Sequence, residues 1–458
     1  MTPPDVPAAQ AAVHPYLHTH PDAVVPAPGR QRARLIGWVV YDWAYSPFNT
    51  LVTTFVFATY FVRAVAHDVA AGTAGWAFAQ SVAGILIALL AAPLGAMADR
   101  GGLRAQMLLL CTLVLAGCTA SLWFVRPDAA WATTALVLVA AATVAYEVGL
   151  SFYNAMLLEV APPGRMGRVS GLAWGAGYGG GLAALVICLL VLIEPSVPPF
   201  GLDRAQAEPV RAAMPFAAGW LLLFGLPLPL LAWDRPAHRR SIQAAVRRGM
   251  ASLRVTVRGV LRNPPLRLYL LARMLYSDGL TVLFAFGAIY AAGTFGMNTH
   301  DVMLLGIGLN ITAGLGAFAF SLVEDRIGAK TVVMASLLCL IVLGAALLVV
   351  RSVAWFWVLA VPLGLFIGPA QSASRCLMAR FAPARRRNAL FGLYALSGRV
   401  TGFAGPAALA AVTAATGSQR AGMGVVLVFL IAGAVLLASV PAVQAASSSP
   451  ARLARRNT

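Results

Sequence analysis

Long apolar runs separated by short polar loops are the dominant pattern of this chain. The first run covers residues 37–61, and five more follow at about 75–98, 105–125, 131–157, 170–193 and 212–233. A second set of six lies at about 266–293, 302–323, 331–350, 354–379, 388–413 and 422–443. Because about 20 mostly apolar residues cross a bilayer as a helix, the pattern predicts an all-α integral membrane protein with twelve transmembrane helices in two six-helix bundles.

The polar stretches divide the chain into five parts. Residues 1–29, rich in Pro, Ala and His, predict a disordered arm, residues 30–233 the first bundle and residues 266–443 the second. Residues 234–265 carry eight arginines and one acid, which predicts a cytoplasmic linker with an amphipathic helix on the anionic inner leaflet. A topology signal without further role is the alternative for the linker. Residues 444–458 are expected to form a cytoplasmic tail.

Composition and charge support a membrane protein and exclude several function classes. The chain has 458 residues, of which 60% are hydrophobic and 11% charged, whereas a soluble domain has about 25% charged residues. Its net charge of +18 does not indicate nucleic-acid binding, because the basic residues cluster in loops on one side of the apolar runs. This asymmetry places both termini in the cytoplasm of a multi-pass protein of the cell inner membrane.

Signals for enzymatic chemistry are missing from the sequence. It has no Walker phosphate loop, no zinc-ligand spacing in an ordered segment and no Gly-x-Ser-x-Gly elbow with suitable partners. Three arm histidines, His14, His18 and His20, fit a solvated tail better than a metal site, and the five cysteines lie in apolar runs as expected of buried thiols. We therefore expect no catalytic residue, cofactor or metal, and a monomer.

The two halves of the chain repeat each other. GAMADRGGLR (95–104) follows the second helix and SLVEDRIGAK (321–330) follows the eighth. APPGRMGRVSGL (161–172) aligns with APARRRNALFGL (382–393), and Asp42 in the first helix aligns with Asp278 in the seventh. Two parallel repeats related by an axis along the membrane normal are a transporter architecture.

The repeated loop resembles the signature G-x-x-x-D-R-x-G-x-[RK] of the major facilitator superfamily. A narrower similarity, over most of residues 36–443, is to the vacuolar amino-acid effluxer-like family; it is carried by segments such as 41–61, 159–182, 277–290 and 368–383. This resemblance implies the twelve-helix fold and, further, amino-acid export. The chain departs from the family pattern at Asn388 and Ala389, where an acid is expected, at Ser321 and Asn310, and by an added Glu324 beside Asp325.

Charges in the repeated loops are candidate gating residues. Asp99 can accept hydrogen bonds from the N-terminus of the eleventh helix or pair with a loop arginine, and Asp325 is placed to do the same against the fifth helix. A role in turn geometry and topology alone is the alternative. The gating candidates are Asp99, Arg100, Arg104, Arg168, Asp325, Arg326 and Lys330.

Polar residues inside the apolar runs are candidates for substrate binding or coupling, because such residues normally face a bundle interior or a wet cavity. They are Asp42, Asn49, Glu147, Asn154, Trp174, Tyr178, Asp278, Gln371, Arg375 and Arg399. Arg399, near the midplane, needs either a carboxylate partner (Asp42, Glu147 or Asp278) or an anionic ligand such as a substrate carboxylate. In the second case, Asp278 or Asp42 would hold an ammonium group or a proton. Glu147 and Asp278 fit either proton coupling or a fixed ion pair.

The glycine run of the fifth helix, between Gly171 and Gly181, favours close helix packing over a functional glycine motif. Taken together, the sequence predicts a secondary active transporter of a small polar solute, with amino-acid efflux and proton coupling as the leading hypothesis. A drug or sugar carrier of the same fold and a non-transporting receptor or scaffold are the alternatives. The expected partners are the solute, protons and a bilayer with an anionic inner leaflet, and not nucleic acid.

Overall fold

The computed structural model describes residues 28–232, 242–383, 386–398, 401–402 and 404–441, and every regular element among them is a helix. The first six spanning helices are α1 Gly29–Val65, α2 Val69–Gly101, α3 Arg104–Phe124, α4 Ala129–Val160, α5 Met166–Ile193 and α6 Glu208–Leu231. The second six are α7 Pro264–Phe295, α8 Thr299–Ile327, α9 Ala329–Val349, α10 Val353–Phe381, α11 in two pieces (Arg387–Ser397 and Ala404–Thr416) and α12 Gln419–Ala438.

The twelve described helices confirm the predicted fold class. Ten are long and apolar enough to cross a membrane, and α7, bent by 54° between Phe284 and Ile289, is an eleventh. The twelfth, α11, is divided between Ser397 and Ala404, where the sequence predicted one continuous span. A second difference is that α1 begins eight residues before the predicted start at residue 37. Arg30, Arg32 and Arg34 therefore lie within its first turns.

Residues 234–265 contain a helix, the linker helix, at Ile242–Arg262. It packs against α2 and buries Ser252 and Thr256, while Arg254, Arg258 and Arg262 are exposed. The disordered arm proposed for residues 1–29 lies outside the described residues except for its last two, and the tail proposed for 444–458 lies wholly outside them.

Pro47 explains why part of α1 is π-helical instead of α-helical. Pro47 has no N–H to donate to the carbonyl of Trp43, four residues earlier, and a π-helical segment, Phe48–Phe55, follows it. The freed carbonyl accepts a hydrogen bond from Trp220 Nε1 at 3.3 Å. Gly180 of α5 also lies against this carbonyl: a Cβ there would come within 2.9 Å of the Trp43 Cα. A side chain at position 180 would therefore separate α5 from α1.

The two bundles meet along two seams, α5 against α8 and α2 against α11. At the first seam, a Cβ on Gly171 would come within 3.1 Å of the Ser321 Cα, so the two backbones approach closely. Small residues allow this approach where lipid provides no hydrophobic driving force between helices. The glycine run therefore serves close packing, against α8 at Gly171 and against α1 at Gly180.

Candidate functional site

One face of the molecule carries the repeated loops, and we call it the gate face. There Asp99, at the end of α2, accepts hydrogen bonds from the first residues of α11 across the seam. Its Oδ1 accepts from the backbone N of Asn388 at 3.1 Å and from Asn388 Nδ2 at 2.6 Å, and its Oδ2 accepts from Ala389 N at 2.9 Å. A carboxylate at a helix N-terminus is favoured by the unpaired N–H groups and the helix dipole. An acid at position 388 would repel Asp99, which gives a reason for the asparagine.

The second repeat makes the equivalent contact with the roles of the bundles exchanged. Asp325 of α8 accepts from the backbone N of Gly167 at 2.6 Å and of Arg168 at 3.0 Å, at the start of α5. Each bundle therefore contributes one carboxylate to the N-terminus of a helix in the other bundle. Together the two contacts join the bundles at the gate face.

An ion-pair cluster adds a third contact across the gate face. Glu159 Oε1 accepts from Arg104 of its own bundle and from Arg387 Nη1 of the other bundle, the latter at 3.3 Å. The pKa of arginine is far above neutrality, so the cluster keeps both positive charges around one carboxylate.

The remaining gating candidates are placed less directly. Lys330 Nζ donates to the carbonyls of Ala438 and Val440 inside the second bundle. Arg326 is exposed and forms no ion pair with a described residue. Arg168 contributes its backbone N–H, as given above, and the side chain of Arg100 is not among those described.

A cavity of about 1670 Å³ lies between the bundles. It is lined by the halves of α2, α8, α10 and α12 that are distant from the gate face, from Trp76 to Leu89 on α2 and from Val302 to Asn310 on α8. It therefore opens away from the gate face. Ligand pockets for small molecules are typically about 300–1,000 Å³, so the cavity is large enough for a small solute together with water.

Arg375 of α10 forms the floor of the cavity and is only 2% exposed. Its hydrogen bonds all run to the other bundle: Nε to Ser170 Oγ at 2.7 Å, Nη2 to Ser170 O at 2.6 Å and Nη1 to Asn154 Oδ1 at 3.4 Å. Nη1 also forms an ion pair with Asp42 Oδ2 at 3.1 Å. Asp42 was expected as a possible partner of Arg399, but the structure pairs it with Arg375.

Aromatic rings of the first bundle surround this ion pair. The Arg375 Cζ lies 4.8 Å from the ring centroid of Trp38 and 5.5 Å from that of Trp174. Tyr153 stacks on Trp38 at 4.5 Å and donates its hydroxyl to Asp42 Oδ2 at 2.9 Å. The guanidinium of one bundle is thus coordinated by the other, and these contacts join the two bundles at the floor of the cavity.

The other predicted site residues divide into three groups. Asn49, Glu147, Trp174, Tyr178 and Gln371 line the cavity with the floor residues Asp42, Asn154 and Arg375. Asp278 is 1% exposed next to the lining residue Ser277, has the hydroxyl of Thr401 nearby, and forms no ion pair with a described residue. Arg399 lies outside the described residues. Among the residues that are described, no group of three His, Cys, Asp or Glu could hold a metal ion.

Sequence reasoning missed two residues of the site. Ser170, which binds Arg375 through both its hydroxyl and its carbonyl, has no signal in the sequence beyond its place near the start of α5. Arg273 of α7 also lines the cavity, and its guanidinium stacks on the ring of Tyr394 with Cζ 3.5 Å from the centroid. An arginine about two turns inside the apolar run at 266–293 was the available signal.

Comparison with solved structures shows the same arrangement elsewhere. The proton:xylose symporter XylE, bound to 6-bromo-6-deoxy-D-glucose, superposes with a TM-score of 0.70 at 12% sequence identity, covering 90% of this chain and 96% of that one. At this identity the likeness shows the fold alone. With the repeated gate loops and the cavity between two bundles, the fold defines a membrane transporter of the major facilitator superfamily.

Sequence comparison gives the family. The family described as "Vacuole effluxer Atg22 like" matches residues 163–448, more than half of the chain, and the chain belongs to it. The uncharacterized MFS-type transporter YxiO of Bacillus subtilis is 25% identical over 415 residues, which are 88% of this chain and 94% of that protein. Autophagy-related protein 22 of Cryptococcus neoformans is 26% identical over 284 residues, 58% of this chain and only 50% of that longer protein.

Proposed function

We propose that this chain is a secondary active transporter that moves a small polar solute, an amino acid in the first instance, out of the cell by alternating access. The observation that carries the proposal is the cavity, which is closed at the gate face by contacts between the bundles and open at the other face. A site at the interface of two repeats, reached from one side at a time, is how such transporters work.

The orientation follows from the charges of the loops. The gate face carries the basic loops around Arg104, Arg168 and Arg387, which the positive-inside rule assigns to the cytoplasm. With this orientation both termini are cytoplasmic, the protein lies in the cell inner membrane, and the structure is an outward-open state. The exposed arginines of the linker helix then face the anionic inner leaflet.

The lining of the cavity supports a polar solute. Trp174 Nε1 and Thr143 Oγ1 are buried in the wall of the cavity and have no hydrogen-bond partner among the described residues. Buried polar groups are almost always paired, so we expect a bound polar solute to supply the missing partners when these side chains turn toward the cavity. Membership of a family described as vacuole effluxers supports export as the direction, and an amino acid is the solute that the sequence resemblance implies.

Asp278 is the proposed proton carrier. Burying a charged carboxylate without an ion-pair partner is costly, so we expect the carboxyl group to hold a proton in this state. When the bundles rock to the inward-open state, hydration of this part of α7 would allow the proton to leave. Glu147, which lines the cavity, is the second carboxyl group available for coupling.

Proteoliposomes test the proposal. Purified protein is reconstituted, and uptake of a labelled amino-acid mixture is measured with and without an imposed pH gradient, with protein-free liposomes as the control. We expect uptake that depends on the gradient and is lost in Asp278→Asn. Wild-type uptake that is the same with and without the pH gradient would refute proton coupling. Uptake of sugars or drugs in place of amino acids would refute the assignment of an amino acid as the substrate. A chain that moves no solute of any class would be a receptor or scaffold.

A further inference from the structure

Arg273, which is half-buried, is the one arginine of the described cavity wall that forms no ion pair with a described carboxylate. Arg375, by contrast, is neutralised by Asp42 at 3.1 Å. The contacts of Arg273 are to neutral groups: Nη1 donates to the Tyr394 carbonyl at 2.8 Å and to Ser397 Oγ at 3.1 Å. Burying a cation without an opposite charge is costly unless something compensates for it.

The geometry shows what fixes this guanidinium in place. Tyr394 and Ser397 belong to the last turn of the first α11 piece, where carbonyls lack the amide partners of the helix interior. The Tyr394 carbonyl accepts from the Ser397 hydroxyl at 2.8 Å as well as from Arg273. A cation at a helix C-terminus is favoured by the dipole, and the Tyr394 ring holds the plane of the guanidinium. These contacts use Nη1 and one face of the group, while Nε and Nη2 donate to no described residue.

The surroundings of Arg273 place it where a solute binds. Tyr276, Ser277, Tyr394 and Gly398 line the cavity with it, at the point where α11 is divided. Divided helices near the midplane are where transporters of this kind hold their substrates. Asp278 is close enough to act on Arg273 electrostatically, but forms neither an ion pair nor a hydrogen bond with it.

We propose that Arg273 binds an anionic group of the transported solute, a carboxylate, through its free Nε and Nη2. The planar guanidinium presents two parallel N–H donors that match the two oxygens of a carboxylate. The inference rests on the proposed function for the location of the site and narrows the substrate to solutes that carry a carboxylate. Amino acids are among these, while neutral sugars and purely cationic drugs are not.

The test compares matched ligands by thermal stabilisation of the purified protein, which reports binding without transport. The probes are L-amino acids, the corresponding amino-acid amides, simple carboxylic acids, neutral sugars and cationic amines. We expect carboxylates to raise the Tm of wild type, with an amide binding about 10- to 100-fold more weakly than its acid because a charge-assisted contact is lost. Arg273→Gln should remove this difference, and Arg273→Lys should keep part of it.

Arg420→Gln is the matched control. Arg420 also donates to a carbonyl, that of Leu348 at 2.9 Å, and lies 5.5 Å from an aromatic ring centroid, that of Phe295, but it does not line the cavity. This variant should discriminate acid from amide as wild type does. If an arginine variant does not fold, the acid–amide comparison in wild type still tests the proposal.

Three results would overturn the inference: equal binding of acid and amide by wild type, unchanged discrimination in Arg273→Gln, or no carboxylate that binds wild type at all. If only neutral or cationic solutes bind, the anion site is refuted while a transporter of polar solutes still stands. If carboxylates bind through Arg273 but no solute crosses a membrane, the proposed function falls and the site remains.

Discussion

Loss of the Arg375 side chain should open the gate face. Asp42 is buried and has two side-chain partners, Arg375 and the hydroxyl of Tyr153 at 2.9 Å. In Arg375→Gln, only the hydrogen bond from Tyr153 remains. Removing one partner of a buried ion pair costs about 3–5 kcal/mol, and the remaining hydrogen bond places this case near the lower end. In the gate-open state the two charges separate into water in any case, so the cost falls on the gate-closed state alone. Since about 1.4 kcal/mol is a factor of ten, the ratio of closed to open molecules should fall by roughly 100-fold.

The assay is pulsed electron paramagnetic resonance on protein in lipid nanodiscs, with the five native cysteines replaced. Spin labels at positions 165 and 326, both exposed on the gate face, report the separation of the two bundles there. We expect a longer gate-face distance in Arg375→Gln and no change in Arg420→Gln, whose described contacts stay within one bundle. The double variant Asp42→Asn/Arg375→Gln should recover part of the closed population, because no unpaired charge remains buried. Identical distance distributions for wild type and Arg375→Gln would refute the reasoning.

Three further substitutions test the gate. Asp99→Asn removes the charge that caps α11, and should lower the closed-to-open ratio by about tenfold; unchanged crosslinking across the gate face would contradict this. Gly95→Ala should also open the gate, because its Cβ would lie 2.6 Å from the carbonyl carbon of Asn388. Gly84→Ala on the same helix is the control: its Cβ meets no atom within 4 Å, so this variant should give wild-type distances in the same assay. Glu324→Gln should raise the Tm, since the glutamate is 1% exposed and forms no ion pair with a described residue. A lower Tm would show that the charge stabilises the closed gate.

Features that repeat along the chain were predictable from the sequence. The apolar runs set the twelve helices, because their lengths match the bilayer and nothing else accommodates such runs. The aligned loops pointed to Asp99 and Asp325 as equivalent positions, and helix dipoles supplied a reason for them to reach α11 and α5. The linker helix, Ile242–Arg262, also lies where the basic segment predicted an amphipathic helix.

Pairings between distant residues were not predictable in the same way. Depth along a helix shows that a charge is buried, but not which of several buried charges it meets. The sequence therefore allowed Asp42 as a partner of Arg399, whereas the rotation of α1 and α10 pairs it with Arg375 in the structure. The division of α11 was missed for a related reason: the run at 388–413 is long enough to cross a bilayer and was interpreted as one continuous helix. Arg273 was overlooked in the run at 266–293, although an arginine inside a membrane span is itself a functional signal.

The central claim of alternating access is that the gate face opens when the opposite face closes. One distance measured across each face tests this claim. Labels at 165 and 326 report the gate face, and labels at the exposed positions 126 and 351 report the opposite face, where the cavity opens. Wild type and Asp99→Asn are compared in the same lipid. We expect the variant to lengthen the gate-face distance and shorten the opposite-face distance together. A gate face that opens while the opposite face keeps its wild-type distance, or no change at either face, would contradict the account.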